Sequence, residues 1–141
     1  MKKILIVDDR KENRTMLANY FKLFGSSEQM IILQADNSSV AVELALGEKP
    51  DLILMDIKLE TGEAGLDAAR RIKANDETKE IPIWAVTAYP QLDSNDSADG
   101  FNAIGFSYLI NKPFDPMALI KNISATLNVP IPDEIKQRMG I

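Results

Sequence analysis

Short apolar runs alternate with longer amphipathic stretches along this chain. Each run is rich in large apolar residues and stops at a polar side chain. Nearly continuous apolar runs are typical of parallel strands that are covered by helices on both faces. The pattern therefore predicts five strands, at Ile4–Val7, Met30–Leu33, Leu52–Met55, Ile83–Val86 and Tyr108–Ile110.

The stretches between the runs place apolar residues at helical spacing, as Leu17 and Phe21 do in the first of them. Helix ends are marked as well. Gly47 is a stop signal for the second helix, and Asp115 followed by Pro116 is a typical helix start, because Asp caps the first turn and Pro fits the first helical position. The predicted helices span residues 13–24, 38–46, 66–74, 101–104 and 116–127.

This alternation predicts an α/β fold of the (βα)5 type, a doubly wound five-stranded parallel sheet, since right-handed crossovers place helices on both faces. The chain has 141 residues, which is enough for one domain with a proper core and too few for two ordinary domains. We assign residues 1–127 to that domain. Residues 128–141 contain Pro130 and Pro132 and are interpreted as a C-terminal tail or linker stub.

Composition narrows the chemistry that this chain can support. It has no cysteine, which excludes disulfides and thiolate sites, and no histidine, which excludes Ser-His triads and the commonest transition-metal ligand. The formal net charge of −5 argues against nucleic-acid binding, which favours a basic surface. Reactive groups must therefore be oxygens or ammonium groups, and the metal that suits oxygen ligands is a hard cation such as Mg²⁺.

The start of the chain is similar to a signal peptide only in its first residues. The apolar run that follows Lys2 and Lys3 is interrupted by Asp8 and Asp9, so it is too short for the apolar region of a signal peptide. No apolar stretch approaches the ~18 residues of a membrane span. We therefore expect no membrane association and a cytoplasmic location.

Candidate site residues follow four of the five predicted strands. Asp8 and Asp9 follow the first strand, Asp56 the third, Thr87 the fourth, and Lys112 comes shortly after the fifth. Because ligands of open α/β sheets bind at the carboxyl edge of the strands, these groups are expected to lie together. Grouped carboxylates repel one another unless a cation joins them, and Mg²⁺ suits such a set. The pattern predicts a Mg²⁺-dependent phosphoryl-acceptor site.

The order of these motifs resembles that of a response-regulator receiver domain over about residues 3–127. The acidic pair, the aspartate after the third strand, Thr87-Ala88 and Lys112-Pro113-Phe114 all match. The resemblance implies a flavodoxin-like receiver fold and a function in two-component signal transduction. A histidine kinase or a histidine phosphotransfer protein would phosphorylate Asp56, and this would switch a face that binds an output protein of unknown identity.

The resemblance also implies the ligands of the metal. Asp9, the side chain of Asp56 and the backbone carbonyl of Lys58 would bind Mg²⁺ directly, with Mn²⁺ as a possible substitute. Asp8 would belong to the same acidic pocket and act through water. The chain would not be an enzyme beyond catalysing its own phosphorylation and dephosphorylation at Asp56.

Two further roles follow from the resemblance. Lys112 would contact a phosphoryl oxygen, and Thr87 would donate its hydroxyl to another, with its movement acting as the switch. Two of the three departures from the family pattern lie close to these residues. The loop after the third strand is one residue longer and carries Glu60 where the family usually has proline. The switch aromatic position, three residues before the lysine, holds Leu109, and Tyr108 comes one residue earlier.

Two other functional classes remain open at this point. The departures in the loop and at the aromatic position are compatible with a degenerate receiver that works as a constitutive protein-interaction module. The fold alone is also compatible with a small flavin or nucleotide carrier. That class fits the site poorly, because no glycine-rich phosphate loop follows the first strand and Asp8-Asp9 would repel a nucleotide phosphate.

Overall fold

The computed structural model of the protein describes residues 2–22, 30–56, 64–87, 106–111, 115–129, 131 and 133–140. The strands in this part of the chain are β1 (Lys2–Val7), β2 (Met30–Ala35), β3 (Leu52–Asp56), β4 (Ile83–Thr87) and β5 (Phe106–Asn111). The helices are α1 (Lys11–Phe21), α2 (Ser38–Glu48), α3 (Ala64–Ala74), α4 (Pro116–Leu127) and α5 (Asp133–Met139). The helix predicted at 101–104 lies outside the described residues.

The strands form one parallel sheet in the order β2-β1-β3-β4-β5. The chain leaves β1 towards β2 and then returns past β1 to β3, so the connections that follow β1 and β3 run in opposite directions. Such a reversal creates a crevice outside the carboxyl ends of the two strands. Val7 pairs with Met55 and Asp56 pairs with Val86, which brings the ends of β1, β3 and β4 side by side.

Side chains alternate between two buried layers, one on each face of the sheet. In β1, Leu5 and Val7 pack with residues of α2 and α3, whereas Ile4 and Ile6 pack with residues of α1 and α4. None of these four side chains is more than 1% exposed. Burial on both faces explains why the strands appear as continuous apolar runs, and it confirms the predicted doubly wound α/β architecture.

The second helix was predicted to end at Gly47, but α2 continues to Glu48. Lys49 then adopts the left-handed conformation (φ 48°) and donates its N–H to the Ala45 carbonyl at 3.1 Å. The Lys3 ammonium donates to the Glu48 carbonyl at 3.2 Å and forms an ion pair with its carboxylate at 3.0 Å. The Lys3 side chain of β1 thus satisfies a carbonyl group at the end of α2, and the helix does not need a glycine to end there.

The connection from α3 to β4 has its own network of hydrogen bonds. The Thr78 side chain is fully buried and donates to the Ile72 carbonyl at 2.6 Å. The Lys73 ammonium donates to the carbonyls of Lys79 and Ile81 at 3.0 and 2.6 Å. Burial lowers the pKa of Lys73, and the charge of Glu80 opposes the shift. These contacts hold the entry to β4, the strand that ends at the predicted site.

The residues that follow α4 pack against the core. Asn128 ends the helix in the left-handed conformation (φ 55°), and the Ser124 hydroxyl donates to the Val129 carbonyl at 2.5 Å. Val129 is 5% exposed and Ile131 is 9% exposed, and both belong to the buried layer of α1 and α4. The predicted domain boundary after Leu127 stays a prediction, although two apolar side chains of the predicted tail share the core.

None of the helices in the described part of the chain has the length and apolar character needed to cross a membrane.

Candidate metal centre

Three carboxylates meet at the crevice between β1 and β3. Asp8 and Asp9 directly follow β1, and Asp56 is the last residue of β3. One oxygen of each lies within 4.8 Å of the others. Asp8 is 2% exposed and Asp56 is 9% exposed, while Asp9 faces solvent. The structure thus brings together the three acidic residues that were predicted to meet because each follows a strand or ends one.

The Asp8 carboxylate is held in place by its surroundings. One oxygen accepts the Arg10 backbone N–H at 2.9 Å, and the other accepts the Asn13 side-chain amide at 3.2 Å. The Asp8 N–H donates to the Ala35 carbonyl of β2 at 3.1 Å. Arg10 directly precedes α1. The negative charge of Asp8 therefore also lies near the N-terminus of that helix, where the helix dipole is positive and stabilises an anion.

The three carboxylates form a set that suits a hard divalent cation. Their negative charges lie close enough to repel one another, and a cation between them would relieve that repulsion. All the donors are oxygens, and the sequence has neither the histidine nor the cysteine that softer metals favour. Mg²⁺ binds through one or two carboxylates and keeps several other positions for water or phosphate oxygens, which fits this donor set.

Replacing Asp9 with Asn is expected to weaken Mg²⁺ binding on the order of 100-fold, because the site loses one of its three charges and an anionic oxygen. Mg²⁺ affinity can be measured from backbone amide shifts during a titration with MgCl₂. Asp67→Asn is the matched control, since Asp67 is exposed on α3. Equal affinity in Asp9→Asn and the wild type would remove Asp9 from the metal site.

The remaining predicted site residues are placed only in part. Thr87 ends β4, and its backbone lies next to the Val86–Asp56 pair at the same edge of the sheet. Thr87 in turn pairs with Asn111, the last residue of β5. Lys112 follows Asn111 directly in the sequence but lies outside the described residues, as does Lys58.

The aromatic position of β5 has a regular register near the site. The pairing of β4 with β5 contains one irregularity, where Ile83 pairs with Phe106 and Trp84 pairs with Tyr108. From Tyr108 to Asn111 the two strands then pair residue by residue. The backbone irregularity therefore precedes Tyr108 and does not separate it from the end of the strand.

Sequence reasoning missed the side chains of α1 that contact the acidic pair. Asn13 was assigned only to the start of a helix, and Arg14 was given no role, yet both donate hydrogen bonds to Asp8. The sequence offered only a weak indication of these two contacts. Both residues follow the acidic pair within one or two helical turns, and polar side chains on the first turns of a helix are common at protein surfaces.

Comparison with protein-family models assigns residues 4–124 to the response regulator receiver domain. This chain belongs to that family. The matched residues of this receiver domain include most of β1, the other four strands, the three carboxylates and most of α4.

Two curated relatives are similar to this receiver domain over different shares of their own length. Protein PilH of Pseudomonas aeruginosa is 36% identical over 127 residues, which cover 90% of this chain and 98% of PilH. The phosphate regulon transcriptional regulatory protein PhoB of the same organism is 36% identical over 126 residues, which cover 89% of this chain. Those residues correspond to 52% of PhoB, so the chain spans about half the length of that relative.

A solved structure supports the same fold and includes a metal. The receiver domain of the sensor histidine kinase PA1611 from Pseudomonas aeruginosa PAO1 is 25% identical, with a TM-score of 0.74. The similarity covers 90% of this receiver domain and 98% of that chain. Its structure contains a magnesium ion coordinated in the active site cleft.

Proposed function

We propose that this receiver domain accepts a phosphoryl group on Asp56 in a Mg²⁺-dependent reaction and acts as a phosphorylation-controlled switch in two-component signalling. One observation carries the proposal. Asp56 ends β3 at the crevice, and its carboxylate oxygen lies within 4.8 Å of carboxylate oxygens of Asp8 and Asp9. The membership in the receiver family and the magnesium ion in the related receiver of PA1611 support it.

In the proposed reaction, a carboxylate oxygen of Asp56 attacks the phosphorus of a phosphohistidine. The new O–P bond gives an acyl phosphate, the P–N bond breaks, and the histidine nitrogen of the donor regains its electron pair. Transfer of this kind depends mainly on positioning and on the stabilisation of charge. A Mg²⁺ ion held by Asp9, Asp56 and the Lys58 carbonyl would neutralise the charge on the carboxylates and the phosphoryl oxygens.

The other residues of the site have supporting roles in this proposal. Asp8 keeps the pocket acidic and orients water around the metal, since its own oxygens already accept hydrogen bonds from Arg10 and Asn13. Lys112 pairs with one phosphoryl oxygen. Thr87 donates its hydroxyl to another, and this movement of Thr87 changes the face that an output protein binds.

The proposed partners are proteins. The phosphoryl donor is a histidine kinase or a histidine phosphotransfer protein, since these 141 residues contain no histidine. The proposed location is the cytoplasm, and the net charge of −5 does not favour nucleic acid as a partner of this domain. Catalysis is limited to the phosphorylation and dephosphorylation of Asp56 itself.

Incubation with acetyl phosphate tests the proposal. In the presence of MgCl₂ the intact mass is expected to increase by one phosphoryl group, and EDTA is expected to prevent the increase. Peptide mapping after reduction of the acyl phosphate with borohydride should locate the modification at Asp56. If several phosphohistidine donors and acetyl phosphate all leave the mass unchanged, the constitutive interaction module becomes the better explanation.

A further inference from the structure

We propose that Arg14 is a positioning residue of the metal site, because its guanidinium fixes the peptide group that joins Asp8 to Asp9. One nitrogen, Nη1, donates to the Asp8 carbonyl at 2.7 Å. This inference rests on the proposed function, since it concerns the carboxylates that would bind Mg²⁺.

The Asp8 carbonyl lies where the pairing of β1 with β2 ends. The last main-chain bond between these strands runs from the Asp8 N–H to the Ala35 carbonyl at 3.1 Å. Beyond Ala35 the chain leaves the sheet, because Asn37 already caps α2. A carbonyl in this position needs a donor from outside the strand ladder, and Arg14 supplies one from α1.

The guanidinium is itself oriented by a second hydrogen bond. Its Nε donates to the side-chain oxygen of Gln34 at 3.2 Å, while Nη1 reaches Asp8. Gln34 lies in β2, so one planar group connects α1 to the ends of two neighbouring strands. A rigid fork of donors holds its acceptors in a defined direction, which a single flexible ammonium does not.

The position of Asp9 depends on this backbone contact. Asp9 is exposed, and within the described residues its carboxylate accepts no hydrogen bond. Its direction depends in part on the peptide group between Asp8 and Asp9, whose oxygen accepts the hydrogen bond from Arg14. Without that contact the peptide plane can rotate, and the Asp9 carboxylate would spend less time near those of Asp8 and Asp56.

Charge and position predict opposite effects for the loss of Arg14. As a cation near a cation site, Arg14 repels Mg²⁺, so its removal on electrostatic grounds alone would strengthen Mg²⁺ binding. As a positioning group it assembles the ligands, so its removal would weaken binding. The sign of the change in Mg²⁺ affinity therefore distinguishes the two roles.

The test compares Mg²⁺ dissociation constants from amide shifts of ¹⁵N-labelled protein during titration with MgCl₂. Arg14→Gln is expected to weaken binding about tenfold, in the range typical of residues that orient metal ligands. Lys11→Gln removes one positive charge from an exposed position on the same helix and should not weaken binding. Arg14→Lys keeps the charge without the fork and should give an intermediate affinity.

Gln34→Leu removes the side-chain oxygen that accepts the hydrogen bond from Arg14 Nε, and it leaves the charge of Arg14 intact. It is expected to weaken Mg²⁺ binding by a smaller factor than Arg14→Gln, and to have no further effect in the Arg14→Gln background. This variant also decides the question if the amide spectrum shows that Arg14→Gln does not fold. Unchanged affinity in Gln34→Leu would then overturn the proposal.

The outcomes separate this inference from the proposed function. If Arg14→Gln binds Mg²⁺ as tightly as the wild type, or more tightly, Arg14 acts through charge alone and the inference is wrong, while the proposed function stands. If the wild type itself shows no Mg²⁺-dependent shifts, the proposed function fails and the inference fails with it.

Discussion

Asp56→Asn is expected to abolish the uptake of a phosphoryl group from acetyl phosphate. The amide has nearly the same shape as the carboxylate, but it lacks an anionic oxygen that could attack phosphorus. Other hydroxyl and carboxylate groups of the chain should not substitute for it, because phosphoryl transfer depends on precise placement beside the metal. Intact mass measured over the course of the reaction reports the loss directly.

The matched control for this experiment is Asp67→Asn, which makes the same chemical change on the exposed surface of α3. It should take up one phosphoryl group at the wild-type rate. The thermal unfolding midpoint of Asp56→Asn should show that the fold persists. Uptake by Asp56→Asn at the wild-type rate would mean that another residue is the acceptor, and the assignment of Asp56 would be abandoned.

Ending the chain at Leu127 is expected to destabilise the domain by about 3 kcal/mol. Val129 and Ile131 are nearly buried in the layer formed with α1 and α4, at 5% and 9% exposure. Their removal loses that burial and opens other apolar side chains of the same layer to water. Urea unfolding followed by circular dichroism measures the change in the free energy of unfolding.

A chain that ends at Ile131 is the control, since it lacks α5 but keeps both buried side chains. It should retain most of the stability of the full chain. Ile131→Ala in the full chain should lose about 2 kcal/mol, which keeps the test informative if the shorter chain does not fold. Equal stability of all these variants would support the interpretation of residues 128–141 as a linker stub.

The central strands β1, β3 and β4 were predictable because their side chains are buried on both faces of the sheet. Burial on two sides demands continuous apolar residues, and this leaves a signal that does not depend on neighbours. Asp115 and Pro116 likewise marked the start of α4, where the Asp115 side chain accepts the Met117 N–H at 3.0 Å. In such cases the relevant contacts lie within a few residues of one another.

Helix ends that depend on distant residues were predicted less well. Helix α1 begins at Lys11 instead of Asn13, and its N-cap residue, Arg10, makes no side-chain cap. The Asp8 carboxylate accepts the Arg10 N–H and so holds the residue that directly precedes the helix. The end of α2 beyond Gly47 depends in the same way on Lys3, which comes from a different strand.

The sequence by itself determined the alternation of strands and helices, and it placed Asp8, Asp9 and Asp56 at strand ends that a parallel sheet brings to one edge. Only the tertiary structure decided which side chains orient that acidic site. The bond between Arg14 and Gln34 joins residues 20 positions apart, on a helix and on a neighbouring strand. Such contacts arise from the strand order and the packing of helices on the sheet, and no local pattern of residues encodes them.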